Sequence, residues 1–170
     1  IGLQADELGM SWDLVMPGIS DGTRAVDAVR PAYDRGYGMV FLWGSYGQAK
    51  TLVGKILTAT AYREDKRAAY ANMAAVLTNI RMAFDSDRQN GELTRRINWW
   101  IQRDILFIDE LDKVNATPWA QQTMFDLLDQ RYVRAVREDA LTVIASNSTA
   151  GELDGYLQSR LGDNRLGPTV

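Results

Sequence analysis

A short apolar run, Met39 to Trp43, feeds directly into Gly44-Ser45-Tyr46-Gly47-Gln48-Ala49-Lys50-Thr51, and a helical pattern follows. Strand, glycine-bearing loop and helix in that order constrain this chain more than any other feature. Such a loop curls its N–H groups onto a polyphosphate, its lysine reaches the β and γ phosphates, and its Ser/Thr hydroxyl meets Mg²⁺. Gly44, Ser45, Tyr46, Gly47, Gln48, Ala49, Lys50 and Thr51 are therefore the candidate nucleotide-binding residues, with a polyphosphate and Mg²⁺ the expected ligands. The pattern G-x-x-x-x-G-K-S/T is met except at Ala49, where a glycine is expected. A Cβ there requires backbone angles open to a non-glycine residue. A loop already turning into a helix can supply them, so a competent site is expected, with some weakening left open. Taken alone, the loop also reads as an ordinary strand-to-helix turn carrying a surface lysine.

The second half of a nucleotide site follows at Asp104-Ile-Leu-Phe-Ile-Asp109-Glu110. Four apolar residues ending in two acids describe a buried parallel strand whose carboxyl end presents both acids at the ligand edge of a sheet. Asp109 is the candidate Mg²⁺ ligand with Thr51, and Glu110 the group that polarises the attacking water. The competing reading is a solvated acidic turn that also contains Asp112. Leu141 to Ser146 is a third apolar strand with Asn147 at its tip, placed either to orient the water and touch the γ phosphate or to bond its own backbone in a turn. Arg160, near the end of the last helix, is either a favourable partner of that helix dipole or an arginine finger inserted into a neighbouring subunit's site. Arg165 is the second choice for that finger.

Between these segments the periodicity predicts helices over 21–35, capped by Asp21, and over 50–62, 73–84 and 92–102. A weak strand is expected at Arg67 to Asn72, and Asp85 to Gly91 is polar and turn-prone. Thr117-Pro118 should start a long helix with Met124, Leu128, Tyr132 and Val136 on its buried face. Thr149 to Glu152 offers a capping box for a helix holding Leu153, Tyr156, Leu157 and Leu161. Strands alternating with helices imply an α/β fold with a parallel sheet and helices on both faces. Residues 1–20, including Pro17-Gly18, read as an N-terminal segment lying against a core of 21–170.

Arg81, Arg88, Arg95, Arg96 and Arg103 cluster in the region of the 73–84 and 92–102 helices, either to grip a phosphate backbone or as a solvated face. Trp99 and Trp100 beside them either stack on bases or fill a core or interface. The net charge of −3 argues against the whole molecule being a magnet for nucleic acid. The absence of Cys and His removes disulfides, thiolate zinc sites and His-dependent triads. No apolar run approaches the roughly 20 residues a bilayer requires, so a cytoplasmic setting is expected. The chain opens on Ile1 and stops at Val170 inside what reads as a new strand, so a trimmed or partial chain is expected.

These motifs resemble the DnaC/IstB-like branch of AAA+ P-loop ATPases, the helicase loaders and transposition helpers related to the DnaA initiator. Gly44 to Thr51 looks like their Walker A motif, Ile105 to Glu110 like Walker B, Asn147 like sensor 1, and Ser159-Arg160-Leu161 like the segment that carries the finger. The resemblance spans residues from about 20 to 168. It implies an ASCE-type fold with a five-stranded parallel sheet in the order 5-1-4-3-2, here without the lid domain. It also implies an ATPase that assembles with ATP around single-stranded DNA and meets a replicative helicase or a transposase, with a neighbouring copy contributing Arg160. The two helices from Met73 to Gln102 match the place of that clade's extra DNA-contacting element. The departures are Ala49, a missing sensor 2 arginine and no visible helicase-binding module.

Overall fold

Continuous apolar runs become the strands of one parallel sheet because both faces of that sheet are covered. The computed structural model describes residues 2–15, 22–86, 91–114 and 117–170. The expected cap Asp21, Pro17-Gly18, Arg88 and most of the expected 85–91 turn lie outside these. The strands are β1 (Gly38–Trp43), β2 (Ala68–Asn72), β3 (Ile105–Asp109) and β4 (Leu141–Ser146), and they pair in the order β1-β4-β3-β2. All three pairings are parallel, with Phe41 opposite Ile144, Ile108 opposite Ile144, and Asn72 opposite Asp109.

The helices are α1 (Gly22–Arg35), α2 (Lys50–Arg63), α3 (Met73–Ser86), α4 (Glu92–Ile101), α5 (Pro118–Val136) and α6 (Gly155–Leu161). Side chains alternate across a strand, so Val40, Leu42, Phe107 and Val143 pack with α1 and α2 while Met39, Phe41, Leu106 and Ile108 pack with α3, α5 and α6. Gly54 of α2 lies so close to β3 that a Cβ would stand 2.4 Å from the Phe107 ring. That close approach seats α2 on the sheet and holds the loop that starts it.

The weak expectation at 67–72 is realised as β2. Its alanines carry little strand propensity, but Ala68 and Ala69 are buried. Asp104 grips its start, accepting from the Arg67 backbone N–H at 3.0 Å and from the Arg67 guanidinium.

Three expectations need correction. Among the described residues the sheet has four strands, and the fifth of the 5-1-4-3-2 order is reduced to a parallel bridge between Phe41 and Thr169 on the outer edge of β1. Val170 N–H donates to Phe41 O at 2.9 Å and Phe41 N–H to Pro168 O at 3.1 Å. The next rung would need an N–H from residue 168, and proline has none.

The buried face of α5 runs through Met124, Leu127, Leu128, Arg131 and Ala135, while Val136 is 52% exposed. A strict four-residue spacing advances about 40° beyond a full turn at each step, so a stripe read from 124 to 136 drifts off the core. Thr117 caps this helix as expected, accepting from Ala120 N–H at 3.2 Å, with Pro118 at its first position.

Thr149 and Glu152 do meet, Thr149 N–H donating to Glu152 Oε2 at 2.6 Å. They close the 3-10 turn Ala150–Glu152, not the helix after it. The cap of α6 is Asp154, whose side chain accepts from Tyr156 N–H at 2.9 Å.

Ahead of α1, residues 6–9 form a 3-10 turn against α2, where Glu7 pairs with Lys55 at 2.5 Å. Among the described residues no helix is long and apolar enough to cross a membrane.

Candidate functional site

The carboxyl ends of β1, β3 and β4 lie side by side, and each delivers one candidate segment to the same cleft. Gly44 follows β1, Glu110 follows β3, and Asn147 follows β4. The cleft has a volume of about 520 Å³ and is lined by Gly47 to Thr51, Asp109, Glu110 and Asn147, with Met10 and Lys55 at its rim. A parallel sheet places its ligand crevice at this edge.

The loop turns through three residues of positive φ: Gly44 at 148°, Gly47 at 87° and Ala49 at 56°. Backbone of alternating hand turns successive N–H groups toward one centre. Ala49 itself, at φ 56° and ψ 11°, is in the left-handed region. The loop does not relax to spare the methyl group, and this conformation costs a non-glycine residue roughly 1 kcal/mol.

Lys50 and Thr51 open α2, so the positive end of that helix faces the cleft. Lys50 Nζ is folded onto the loop's own carbonyls, 2.5 Å from Gly44 O and 3.0 Å from Ser45 O, and stands 3.5 Å from Asn147 Oδ1. Burial pulls its pKa below the usual lysine value against the opposing pull of Asp109 and Asp112.

Thr51 Oγ1 donates to Asp109 Oδ2 at 2.7 Å, and the Tyr70 hydroxyl donates to the same oxygen at 2.8 Å. Asp109 is 5% exposed and its other oxygen accepts from Glu110 N–H at 2.9 Å. Among the described residues no three acidic, His or Cys side chains gather into a metal cage. One carboxylate beside one hydroxyl suits Mg²⁺, which keeps waters and shares its shell with substrate phosphates. Thr51 and Asp109 would hold the ion, which when bound neutralises charge on the phosphates.

Glu110 leaves the strand at φ 54°, in the left-handed region, and this turns its side chain away from the buried direction taken by Asp109. Its carboxylate pairs with Lys113, whose ammonium also lies 5.5 Å from the centre of the Tyr46 ring. The pairing raises the Lys113 pKa above its usual value.

Arg160 is not in this cleft. It pairs with Asp129 at 3.1 Å and lies over the rings of Tyr132 and Tyr156, with a third of its side chain exposed. Arg165 pairs with Asp163 at 2.7 Å.

The arginine cluster divides among partners. Arg95 and Arg96 flank Glu92, Arg103 lies 4.2 Å over Trp99, and Arg81 lies 5.8 Å over Trp119. Trp100 is buried and Trp99 is 41% exposed.

Three groups at the site escape the motif patterns: Tyr70, Asp112 and Lys113. Tyr70 comes from a neighbouring strand, and nothing local in Ala68 to Asn72 points to it. Asp112 and Lys113 lie within the acidic turn, and their spacing after Asp109 was the available signal.

Residues 29–168 match the family model described as IstB-like ATP binding protein. A comparison with curated protein sequences finds no significant match. Among solved structures, AMPPCP-bound DnaA from Aquifex aeolicus is similar with a TM-score of 0.77 at 18% identity, over 94% of this chain and 49% of that one. A DnaC helicase loader is similar with a TM-score of 0.70 at 17% identity, over 98% of both chains. DnaI is similar with a TM-score of 0.68 at 13% identity, over 99% of this chain and 93% of that one. The chain spans about half the length of the Aquifex DnaA chain. At such identities these likenesses establish the fold.

Proposed function

The chain belongs to the family of IstB-like ATP-binding proteins, and from that premise we propose that it is the ATP-binding and ATP-hydrolysing domain of a DnaC-like replicative helicase loader. It assembles with ATP and single-stranded DNA, and turns over slowly alone and faster when assembled. The observation that carries this reading is that Lys50, Thr51, Asp109 and Glu110, from two distant segments, line one cleft at the ligand edge of the sheet.

In this reading the loop N–H groups and Lys50 bind the β and γ phosphates, and Lys50 exchanges the Gly44 and Ser45 carbonyls for them. Thr51 and Asp109 take the Mg²⁺, Glu110 orients the attacking water and accepts its proton, and Asn147 senses the γ phosphate. Arg160 would leave Asp129 to meet a neighbouring copy's nucleotide. The exposed Trp99 and Arg95 on α4 are the surface offered to the strand.

Two substitutions test the core of the proposal. Lys50→Ala should abolish ATP binding, whereas Glu110→Gln should keep binding and lose hydrolysis. Unchanged turnover in both variants would sink it.

A second reading is favoured by the left-handed Ala49 and by Lys50 resting on the loop's own carbonyls. Here ATP binds and drives assembly with little turnover. ATP affinity and steady-state turnover measured side by side separate the two, since appreciable DNA-stimulated turnover rules out the switch. The family match also favours an IstB-like transposition helper with the same site chemistry. Capture by a replicative helicase against capture by a transposase distinguishes that role.

A further inference from the structure

The turn after β3 reaches across to the tip of β4. Asp112 Oδ1 accepts from Asn147 N–H at 2.8 Å and from Ser146 Oγ at 3.2 Å, while Asp112 Oδ2 accepts from Asn147 Nδ2 at 3.1 Å. An ionised carboxylate has no proton to give, so an amide that faces it must present its NH₂ end. The other end of the Asn147 amide, Oδ1, is then directed at Lys50 Nζ. Burial acts to raise the Asp112 pKa, but the hydrogen bonds from Asn147 and Ser146 outweigh it and hold the carboxyl below its usual range. The group therefore stays an acceptor at neutral pH.

We infer that Asp112 is a positioning residue that fixes the Asn147 side chain with its carbonyl oxygen toward Lys50, so that Asn147 serves the cleft as an acceptor. The geometry stands by itself, and its catalytic consequence rests on the ATP-hydrolysis reading above. With its NH₂ end held by Asp112, Asn147 steadies the ammonium that must reach the phosphates.

The isosteric variant Asp112→Asn separates this role from simple shaping of the turn. Asn at 112 still accepts from the Asn147 backbone with its oxygen, but its NH₂ then faces the Asn147 NH₂, donor against donor. The Asn147 amide turns over in response and points its own NH₂ at the Lys50 ammonium. A residue that only shaped the turn would be replaced by Asn without loss.

The experiment compares the full chain with Asp112→Asn, Asp112→Ala, Asn147→Ala and the double variant Asp112→Ala/Asn147→Ala. The side-chain amide resonances of Asn147, identified by their loss in Asn147→Ala, report the orientation without any turnover. ATP affinity and kcat report its consequence. Asp112→Asn should retain one cooperative unfolding transition and shift the Asn147 amide resonances. Its kcat should fall about 10-fold, the worth of a charge-assisted hydrogen bond, with ATP affinity within about 3-fold. The double variant should be no slower than Asn147→Ala, because Asp112 acts through Asn147. Wild-type kcat in Asp112→Asn, or losses that multiply in the double variant, would overturn the inference. A wild-type chain that hydrolyses no ATP would refute the hydrolysis reading instead. The amide resonances would then decide alone, and unshifted signals in Asp112→Asn would overturn the assignment of Asp112.

Discussion

Thr51 Oγ1 and Asp109 Oδ2 meet at 2.7 Å across 58 residues of sequence, and this contact joins the loop after β1 to the acidic end of β3. Thr51→Val keeps the shape and removes the donor together with the proposed metal ligand. The fold should persist, since Asp109 Oδ2 still accepts from Tyr70. The Mg²⁺-dependent gain in ATP affinity should fall about 10-fold or more. Titrating ATP with Mg²⁺ and with EDTA reads this directly.

Lys113 holds Glu110 by an ion pair in which both side chains are substantially exposed. Lys113→Met frees the carboxylate to orient water. Because such pairs are weak in water, basal ATP turnover should rise only about 2- to 5-fold. Steady-state phosphate release measures it, and a fall would mean that Lys113 assists the reaction.

Arg131 has no solvent exposure, yet its guanidinium is fully engaged. It donates to Thr142 Oγ1 at 2.8 Å, to Ile101 O at 2.8 Å, to Leu141 O at 2.7 Å and also to Arg103 O. It thereby ties the end of α4 to the starts of β3 and β4. Arg131→Ala removes these buried hydrogen bonds, leaving Ile101 O and Arg103 O to the Arg134 guanidinium, and opens a cavity, so urea unfolding should show a loss of about 3 kcal/mol. Arg131→Lys should recover only part, because an ammonium cannot span the same fork of acceptors.

Acid should release the β4 tip through Asp112. Its carboxyl pKa lies below the ordinary 3.8 in the folded protein, because the Asn147 and Ser146 hydrogen bonds outweigh the opposing effect of burial. A depressed carboxyl stabilises the fold fully above its unfolded pKa and loses that contribution as pH falls through 3.8 toward the folded value. Wild-type protein should therefore be more stable than Asp112→Asn near about pH 6, and the gap should narrow as pH falls to about 3, below the ordinary carboxyl value. Urea unfolding of both at the two pH values checks the sign.

The parts of the site that could be read along the chain are those carried by local pattern. An apolar run before Gly44 and another before Asp109 mark buried parallel strands, because only burial on both faces tolerates such runs. The positions of Lys50 and Thr51 at the start of α2 follow from the loop that precedes them. What could not be read is whatever depends on the neighbour. Tyr70 reaches Asp109 only because β2 pairs with β3 in register, Asn72 beside Asp109. Nothing in the local sequence marks Arg131, which is buried where four acceptors from other segments converge on it.

Ala49 shows the same division. Its residue type leads one to expect backbone angles open to a non-glycine residue, whereas the loop enters α2 with Ala49 in the left-handed region, at φ 56°. Asp112 and Asn147 complete the contrast, since one stands in the turn after β3 and the other just after β4, and nothing in the order of residues sets one against the other. Local composition settles where strands end and which chemical groups stand at their ends, because burial and helix-start chemistry act over a few residues. The pairing order β1-β4-β3 decides which of those groups face each other, because hydrogen bonds of about 3 Å exist only between groups that the assembled sheet brings into contact.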